Sequence, residues 1–386
     1  MKIAIITDET DTQHSGLGIY TINIVRNILQ LDKKNEYYLV HRKKENDNIY
    51  SMAKEIIVPY NPRFPFSFIR NFITLPLKLR KYDFDVVHHT GNIGPFIFKA
   101  ISPTRKGRTI QTLFDIIPLL HPETYERSVR MAFKYLLPMA LHNADIILAI
   151  SESARQDAVK KLGIESSKIL ITHPAPNEQF RILTNKQLSA ARKFLKHKYS
   201  IASRYILYAG SLESKKNVQT LVRAYSLLKK KGIEQKLVLV GKKGYRNEEI
   251  FAEIKRQGLE KDIIWLGYTP LSPDLVYIYN CADVFVFPSV YEGFGMPVIE
   301  SMACGCPVIT SNRGSLPEVA GNAAIILDAY DTEGFARAIH KVLNDKKFAA
   351  AMAKKGLANA KRFSWKKSAE KTIKAYESYL RTSNST

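Results

Sequence analysis

Short runs of β-branched and aromatic residues alternate along the chain with longer stretches whose apolar residues recur every three or four positions. The short runs predict β-strands and the longer stretches predict amphipathic helices, which is the pattern of parallel α/β units. In the first half, strands are predicted at 2–6, 37–40, 85–88, 109–113 and 145–150. In the second half, they are predicted at 205–208, 236–240, 263–266, 284–287, 307–310 and 324–327. Helices are predicted at 20–31, 129–142, 217–231, 247–257, 275–281, 297–304 and 332–343.

This order of elements predicts two doubly wound, Rossmann-like domains in tandem. The chain has 386 residues, which suits two domains of roughly 100–200 residues each. The charged, proline-bearing segment 175–203 is the expected boundary. We therefore predict domains at 1–178 and 179–365, followed by a helix at 366–386 that packs back on the first domain. Such domains would face each other across a cleft and bind ligands at the carboxyl ends of their strands.

Basic residues outnumber acidic ones by 58 to 36, a formal net charge of +22. This excess predicts an anionic partner, which is a phosphorylated substrate, an acidic membrane face or a nucleic acid. No nucleic-acid-reading motif accompanies the charge, so a nucleic-acid partner is not expected. The three cysteines cannot form a disulfide framework, and no apolar run reaches the roughly 18 residues that span a bilayer. We expect a cytoplasmic protein.

The segment 61–81, NPRFPFSFIRNFITLPLKLRK, interleaves bulky apolar residues with five basic ones and contains no acid. This combination is typical of a segment that lies at an anionic membrane interface. The alternative is that the phenylalanines pack in the core of the first domain and the cations coat its surface. We predict peripheral contact with the inner face of the cell membrane through this segment.

The stretch 287–310, FPSVYEGFGMPVIESMACGCPVIT, carries the most chemical information. A loop containing Gly293 and Gly295 follows a predicted strand and leads into a helix at the next proline. The free amides of such a turn and the positive end of the helix dipole form a phosphate site. Glu292 precedes the helix and Glu300 lies about one turn inside it, where each carboxylate can accept hydrogen bonds from sugar hydroxyls. The alternative is a glycine-rich loop with ordinary helix-capping acids.

The spacing of these glutamates within YEGFGMPVIESMACGCPVI is similar to the signature of family 4 retaining glycosyltransferases. AGSLESKKN (209–217) resembles the diphosphate loop of that family, and WLGYTP (265–270) resembles its nucleobase loop. SGLGIYTINI (15–24) and ADIILAISESARQDAV (144–159) resemble segments of its first domain. The resemblance covers nearly the whole chain and is most specific in the C-terminal half. It implies the type B fold of two facing Rossmann-like domains (GT-B) and a nucleotide diphosphate sugar as donor.

The resemblance also implies roles for individual positions. Glu300 would bind the ribose hydroxyls of the donor, and Glu292 would hold the transferred sugar near the reaction centre. Lys216 would neutralise the diphosphate as it departs, and Tyr268 would contact the base. The other positions implied in donor binding are Gly16, Gly18, Gly210, Ser211, Gly293, Phe294, Gly295, Met296, Pro297 and Val298.

One departure from the family pattern affects the phosphate loops. The family often has an arginine where this chain has Ser211, and Lys215 or Arg246 would have to supply the missing charge. Gly16 and Gly18 also match the start of a dinucleotide fingerprint, but the third glycine and the acidic partner of that motif are missing. In the resembled family this N-terminal loop reaches over the cleft towards the donor phosphates, where glycine permits close approach.

The stretch TLFDIIPLLHPE (112–123) is the predicted acceptor side. Related glycosyltransferases commonly carry His-Asp where this chain has Phe114 and Asp115. Asp115 and His121 are our candidates for positioning the acceptor hydroxyl or taking its proton. His88 and His89, at the end of another predicted strand, are further candidates, although a structural role is more common for histidines at strand ends. The resemblance implies neither a metal nor another cofactor, because Lys216 and helix dipoles can replace a cation.

These observations favour a retaining glycosyltransferase that moves a hexose to a hydroxyl of a lipid-linked or growing bacterial polysaccharide. SGLGIY resembles mannosyltransferase-like members, which suggests mannose from GDP-mannose. One alternative is a catalytically weak subunit that only binds nucleotide sugar, because Phe114 and Ser211 depart from the family. A sugar-nucleotide epimerase of similar fold is another. A nucleic-acid-binding protein is suggested by charge alone.

Overall fold

The computed structural model describes residues 1–12, 16–44, 47–269 and 273–383. The chain forms two compact units of similar size. The N-terminal unit consists of Met1–Pro174 together with Ser364–Thr386, and the C-terminal unit consists of Ala175–Phe363. Ser15, in the first resembling segment, and Pro270, in the proposed nucleobase loop, lie outside the described residues.

The N-terminal unit is built on a parallel sheet of seven strands in the order β3-β2-β1-β4-β5-β6-β7. The strands are β1 Lys2–Ile6, β2 Glu36–His41, β3 Lys54–Ile57, β4 Val86–His89, β5 Arg108–Leu113, β6 Ile146–Ala149 and β7 Ile169–Ile171. β1 lies between β2 and β4, with Ile3 opposite both Tyr37 and Val86. The direction of winding reverses between β1 and β4, so ligand-binding loops are expected there.

Helices cover both faces of this sheet, because its inner strands are buried on both sides and read as continuous apolar runs. They are α1 Gly16–Leu31, α2 Phe66–Ile69, α3 Leu75–Arg80, α4 Ile117–Leu120, α5 Arg127–Asn143 and α6 Glu152–Leu162. A π-helical turn, Arg70–Thr74, joins α2 to α3. Within the described ranges, no helix of the chain is both long and apolar enough to cross a membrane.

The sequence pattern did not predict the two edge strands of this sheet. β3 has four residues, two of them exposed, and β7 has three. An edge strand is short and solvated along one side, so its apolar pattern is too weak to distinguish it from a loop.

The structure corrects the local geometry predicted for Gly16 and Gly18, and their role in donor binding stays a prediction. Both residues lie in the first turn of α1, which begins at Gly16 and not at the predicted residue 20. They are therefore part of a helix and not of a glycine loop. A Cβ at position 16 would meet open space, so close packing does not require glycine there.

The last helix, α15 Trp365–Ser383, belongs to the N-terminal unit. Its first residue, Trp365, lies edge-on to the ring of Tyr20 in α1, with 5.6 Å between the ring centroids. Further along, the Tyr376 hydroxyl lies 2.7 Å from Nδ1 of His88 in β4. A segment distant in sequence thus completes the core of this unit.

The C-terminal unit has a six-stranded parallel sheet in the order β10-β9-β8-β11-β12-β13. Its strands are β8 Tyr205–Ala209, β9 Lys236–Val240, β10 Ile263–Trp265, β11 Val284–Phe287, β12 Val308–Ser311 and β13 Ala324–Leu327. Its helices are α7 Asn185–Tyr199, α8 Val218–Lys230, α9 Glu248–Arg256, α10 Pro273–Cys281, α11 Met296–Ala303, α12 Leu316–Ala320, α13 Thr332–Asn344 and α14 Lys346–Ala360. The winding reverses between β8 and β11.

The segment 175–203, expected as a boundary, contains α7 of this second unit. The helix begins with a complete capping box, in which the Thr184 side chain and Gln187 exchange hydrogen bonds with each other's backbone. The capping box stabilises the first turn, and many charged residues lie on the outer face of this helix. The units divide at Pro174 and Ala175, and the high charge density of the segment belongs to the solvated face of α7.

Candidate functional site

The loops that follow β8 and β11 meet at the reversal point of the second sheet. Lys216 is on the first loop and Glu292 on the second, 76 residues apart in sequence. The Lys216 ammonium donates a hydrogen bond of 2.6 Å to Oε1 of Glu292, and both side chains are largely buried. The structure therefore brings together two predicted donor residues at the edge where an open α/β sheet binds its ligand.

Backbone contacts hold these two loops together behind the ion pair. The carbonyl of Lys215 accepts hydrogen bonds from the Val290 amide, at 2.9 Å, and from the Ser289 hydroxyl, at 3.1 Å. Asn217 has left-handed backbone geometry, with φ of 53°, and its side-chain amide donates to the carbonyls of Pro288 and Ala329. Lys216 therefore stands on a rigid turn.

A second set of contacts fixes Glu292 from the other side. The amide and hydroxyl of Ser315 both donate to the Glu292 carbonyl, at 3.2 and 3.0 Å. Gly314 packs against the same residue, and a Cβ there would come within 2.6 Å of the Glu292 carbonyl oxygen. Asn217, Ser315 and Gly314 were not predicted from the sequence, although Gly314 and Ser315 directly precede a helix that begins Leu-Pro, which is a recognisable helix start.

Gly295 makes the sharp turn into α11. Its φ is +94°, a left-handed value that favours glycine, and a Cβ would lie 2.7 Å from Leu316. The helix then begins at Met296, with Pro297 in its first turn. Phe294 is buried edge-on against Phe363, so its ring belongs to the core and only its backbone faces the loop. The predicted positions 293–298 thus form a turn whose amides precede a helix.

Glu300 is buried inside α11. Its Oε2 accepts a hydrogen bond of 3.2 Å from the hydroxyl of Tyr279 in α10. Burial raises the pKa of Glu300 to about 7, and the hydrogen bond from Tyr279 only partly opposes this effect. A carboxylate with one protein donor retains capacity to accept hydrogen bonds from neighbouring hydroxyls of a ligand.

Ser211, which stands where the resembled family often has an arginine, belongs to a compact polar cluster. The Ser211 hydroxyl donates to Oε1 of Glu213 at 2.8 Å, and the Lys215 ammonium lies 3.6 Å from the same oxygen. Burial raises the pKa of Glu213, but the charges of Lys215 and Lys216 outweigh burial and hold it below its usual value. Arg246 instead pairs with Glu249 at the exposed start of α9. Of the two candidates for the missing charge, Lys215 therefore lies in the loop with Ser211.

Gly210 begins this loop. Its φ is +154°, and the neighbouring Gly241 allows the two strands' ends to approach, since a Cβ at 241 would lie 1.8 Å from the Gly210 carbonyl oxygen. Gly241 in turn donates to the carbonyl of Gly267, at 2.7 Å. Tyr268 is the next residue, exposed beyond the carboxyl end of β10 and two strands away from β8.

The acceptor-side candidates lie beyond β5 in the N-terminal unit. Oδ1 of Asp115 accepts a hydrogen bond of 3.0 Å from the Ile117 amide at the start of α4. Nδ1 of His121 lies 3.4 Å from Glu123. The ring of Phe114 is buried edge-on against Tyr20, so it fills a core position where relatives carry a histidine. The structure thus gives Asp115 a local contact at the start of α4, and its role at the acceptor stays a prediction.

His88 and His89 are buried, and the structure gives both of them structural hydrogen bonds. His88 lies between the Tyr376 and Thr112 hydroxyls, at 2.7 and 2.9 Å. Burial lowers the pKa of His88 to about 3 and that of His89 to about 4. Both imidazoles are therefore neutral near pH 7, and His88 has no open nitrogen for an acceptor.

An ion-pair cluster at the reversal point of the first sheet was not predicted. Asp8 follows β1 and is held by both terminal nitrogens of Arg70, one of them at 3.0 Å, with Arg42 at 3.5 Å. Asp8 could have been found because it follows a predicted strand at a ligand-binding edge. The pairing with Arg70, 62 residues away, was not accessible to sequence patterns.

Among the residues that the structure describes, no three His, Cys, Asp or Glu side chains group together as metal ligands. The cysteines are reduced, and burial raises the pKa of Cys304 and of Cys306. These thiols are therefore protonated, and they pack as small apolar side chains.

Comparison with known families and proteins agrees with this architecture. Residues 15–179 match the model described as Glycosyltransferase Family 4, and residues 192–359 match the model described as Glycosyl transferases group 1. The computed structure is similar to sucrose-phosphate synthase from Thermosynechococcus elongatus, with a TM-score of 0.78 at 20% identity, covering 99% of this chain and 100% of the other. At that identity, the similarity shows the fold alone.

Two relatives in sequence are mannosyltransferases of Escherichia coli. The O-antigen chain mannosyltransferase B is 29% identical over 98% of this chain and 100% of the relative. The serotype-specific mannosyltransferase WbdA is 34% identical over 72% of this chain, which corresponds to 34% of that longer protein.

Proposed function

Because the chain belongs to the GT-B glycosyltransferases with a family 4 N-terminal domain and a group 1 C-terminal domain, we propose that it moves a hexose from a nucleotide diphosphate sugar to a bacterial polysaccharide. The acceptor is a hydroxyl of a growing, lipid-linked chain. The observation that carries this proposal is the Lys216–Glu292 pair at the reversal point of the second sheet. It places a cation and a sugar-binding carboxylate side by side, as the two halves of a nucleotide sugar require.

The donor lies along the edge of the second sheet in this proposal. The ribose hydroxyls donate to the buried Glu300, and the diphosphate meets the amides at the start of α11 together with the Lys216 ammonium. Glu292 releases Lys216 to the phosphate and accepts hydrogen bonds from the sugar hydroxyls. Tyr268 contacts the base from the exposed end of β10. The Lys216 ammonium therefore has an anionic partner in both states, Glu292 before the donor binds and the diphosphate afterwards.

The proposed reaction retains the configuration of the transferred sugar. A bond forms between the acceptor oxygen and the anomeric carbon, while the bond from that carbon to the diphosphate oxygen breaks. The acceptor proton passes to the departing phosphate oxygen, on the same face of the sugar. Lys216 and the helix dipole stabilise the charge that develops on the leaving group. Metal independence is part of the proposal, because these two positive features supply the charge that a cation would bring.

We assign Lys215 as the second cation for the diphosphate. It is largely buried in the same turn as Lys216, and the Ser211–Glu213 hydrogen bond orients the carboxylate beside it. Arg246 does not share this cluster, because its guanidinium pairs with Glu249. Lys215 therefore replaces the arginine that many relatives carry one residue after Gly210.

Mannose from GDP-mannose is the proposed donor. The name of the relative that covers the whole chain, O-antigen chain mannosyltransferase B, supports mannose and an O-antigen-like polysaccharide. The base is the least constrained part of the donor, since Tyr268 is exposed and stacks equally on a purine or a pyrimidine.

Calorimetric titration of the full chain with GDP, UDP and dTDP, in the presence of EDTA, tests the donor site. We expect selective binding of GDP, and a loss of roughly 1–3 kcal/mol in Glu300→Gln, whose side chain is a poorer acceptor for the ribose hydroxyls. Folded wild-type protein that binds none of the three nucleotides without metal, but binds one after Mg²⁺ is added, would contradict metal independence. Binding of none under either condition would overturn the donor site.

A turnover assay separates the transferase from the two alternatives. With GDP-mannose and a lipid-linked oligosaccharide acceptor, we expect GDP release that depends on the acceptor and an α-linked product by NMR. Tight nucleotide-sugar binding without turnover would identify a binding subunit. Conversion of the donor into an isomeric sugar nucleotide without acceptor would identify an epimerase.

A further inference from the structure

A surface loop in the N-terminal unit is anchored by a buried arginine. Arg70 lies within the acid-free segment 61–81, but it is buried, and it donates two hydrogen bonds to the Val58 carbonyl, at 3.3 and 3.2 Å. The same guanidinium holds Asp8 after β1. Arg70 is therefore not a surface cation as the sequence suggested. It closes the loop 58–70 and ties it to the centre of the sheet.

The closed loop presents large apolar side chains to solvent. Phe64 is 82% exposed and Phe66 is 53% exposed, and Ile69 lies exposed one turn further on. Phe72 and Leu75 on the following turns are buried, so this element already has its own core contacts. The exposed phenylalanines are thus not needed to hold the loop in place, and a bulky aromatic that is four-fifths exposed contributes little to folding.

Helix α5 carries a second exposed apolar stripe. Met131, Tyr135 and Met139 are spaced four residues apart, lie on one side of the helix and are all exposed. The opposite side of α5 packs on the loop's own helical turns, where Ala140 and Leu136 meet Phe68 and Phe72. The two exposed sets therefore lie on neighbouring helices of one unit.

The two segments that carry these exposed side chains are basic. Neither 61–81 nor Arg127–Asn143 contains an acidic residue. The total excess of charge does not explain this, because it is spread over the chain: the C-terminal unit has 29 basic and 17 acidic residues, a net +12, and the N-terminal unit has 29 and 19, a net +10. What distinguishes these two segments is that each carries exposed aromatic or apolar side chains together with basic residues and no acidic residue.

We propose that Phe64, Phe66 and Ile69 of the loop, with Met131, Tyr135 and Met139 of α5, form a docking face for an anionic lipid bilayer. The phenylalanines enter the headgroup region, and Arg63 and Lys81 of the segment 61–81 together with Arg127 and Lys134 of α5 meet the lipid phosphates. Charge complementarity selects this occupant, since a protein partner of matching apolar character would not require an acid-free surround. The docking face itself does not depend on the proposed function. Only its purpose does, which is to bring the enzyme to a lipid-linked acceptor.

Vesicle sedimentation of the full chain without donor tests the face independently of the donor site. Vesicles of phosphatidylcholine with about one third phosphatidylglycerol are compared with pure phosphatidylcholine. We expect binding to the anionic vesicles that weakens with added salt. Phe64→Ser with Phe66→Ser is expected to lower the partition coefficient roughly tenfold, and Arg63→Gln with Lys81→Gln by a similar factor.

The matched control is Ile182→Ser, an apolar side chain of the other unit that is 52% exposed, close to the value for Phe66. It is expected to bind vesicles like the wild type, and all variants are expected to keep their circular dichroism spectrum and GDP affinity. Equal binding of wild type and the double phenylalanine variant would overturn the proposal. So would a dimer in solution that this double variant abolishes while vesicles remain unbound. Failure of GDP binding in the wild type would instead affect the proposed function and leave this result standing.

Discussion

At the residue scale, two glutamates of one motif have opposite environments. Glu292 meets the Lys216 ammonium at 2.6 Å. Glu300, eight residues on, meets only the neutral Tyr279 hydroxyl among its described contacts. An ion pair stabilises a carboxylate, whereas burial without a cation favours the neutral acid. The same residue type therefore serves a charged subsite and a titratable one.

Replacement of Glu300 by glutamine is expected to raise stability while it weakens donor binding. Because burial raises the folded pKa of Glu300 from 4.5 to about 7, its contribution to stability is full below about pH 4.5 and is lost as pH rises through about 7. The loss corresponds to roughly 3 kcal/mol at most. Glutamine does not titrate, so the melting temperature of Glu300→Gln should exceed that of the wild type at pH 8 and match it near pH 4.5.

The control for this comparison is Glu260→Gln, the same change at an exposed position of the C-terminal unit. In the wild type, donor affinity should rise with pH up to about 7 and then level off, because the carboxylate form accepts from the ribose. A stability difference between Glu300→Gln and wild type that stays constant from pH 5 to pH 8 would contradict a raised pKa of Glu300 in the folded protein.

Lys215→Met is expected to weaken binding of a nucleoside diphosphate roughly tenfold, since one partly buried cation is lost from the phosphate subsite. The affinity for the nucleoside alone should stay unchanged, because we propose that the Lys215 side chain contacts the diphosphate and neither the base nor the ribose. Lys255→Met, a change of the same type on the outer face of α9, should leave both affinities unaltered. Equal losses for nucleoside and diphosphate would indicate that Lys215 only supports the loop. Ser211→Arg in the Lys215→Met background should restore affinity if the two positions supply the same charge.

At the element scale, the site depends on turns that do not touch the ligand. The loop after β8 is bonded to the loop after β11, and the start of α12 holds the latter through Ser315. Helix α12 thus sets the position of Glu292 from behind. Loops on a rigid scaffold carry function because their geometry is fixed by such packing.

Gly314→Ala should therefore impair donor binding at a distance from the donor. The added methyl would come within 2.6 Å of the Glu292 carbonyl oxygen, so this loop must move. Gly258→Ala is the matched control, because its φ of +66° resembles the +57° of Gly314 but its Cβ would meet no neighbour. Both variants carry the strain of a left-handed alanine, about 1 kcal/mol. We expect a loss of GDP-mannose affinity of roughly tenfold or more in Gly314→Ala only. Similar affinities in the two variants would show that the loop absorbs the methyl group.

At the scale of the whole molecule, the N-terminal unit is built from two segments that lie at opposite ends of the chain. The N-terminal unit contains the last helix, so its folding requires both ends of the chain. The C-terminal unit is a single continuous segment. The His88–Tyr376 contact, 288 residues apart, joins the two parts of the first unit inside its core.

Tyr376→Phe is expected to destabilise the N-terminal unit alone. The variant leaves the buried His88 without one of its hydrogen-bond partners, which costs roughly 1–3 kcal/mol. Calorimetric melting with and without GDP identifies the units, because the ligand raises the transition of the unit that binds it. We expect the variant to lower the other transition, while Tyr330→Phe, an exposed tyrosine of the C-terminal unit, changes neither. A single transition that shifts as a whole would show that the units unfold together.

Much of the fold could be predicted from the sequence, because the pattern of apolar residues within each buried element is distinctive. Buried parallel strands read as short apolar runs and their helices as periodic ones, so the predicted α/β class and the inner strands are confirmed. The turn into α11 was accessible as well, because Gly295 and Pro297 are required by their own backbone geometry. The edge strands, the start of α1 at Gly16 and the helix within 175–203 were not, since exposed or glycine-bearing elements lack a distinctive pattern.

What the sequence by itself determined is the class of protein and the residues of the two loops in which we propose the donor site, because both depend on local pattern and spacing. What only the tertiary structure decided is which side chains meet. Lys216 with Glu292, Arg70 with Asp8, and His88 with Tyr376 are pairs separated by 76, 62 and 288 residues. Lys216 and Glu292 meet because neighbouring parallel strands bring the loops that follow them to one edge of a sheet. Arg70 and Tyr376 instead reach their partners from helical segments that pack on the first sheet. That is why a basic residue in an apparently exposed segment, Arg70, is a buried anchor, while the phenylalanines beside it remain exposed.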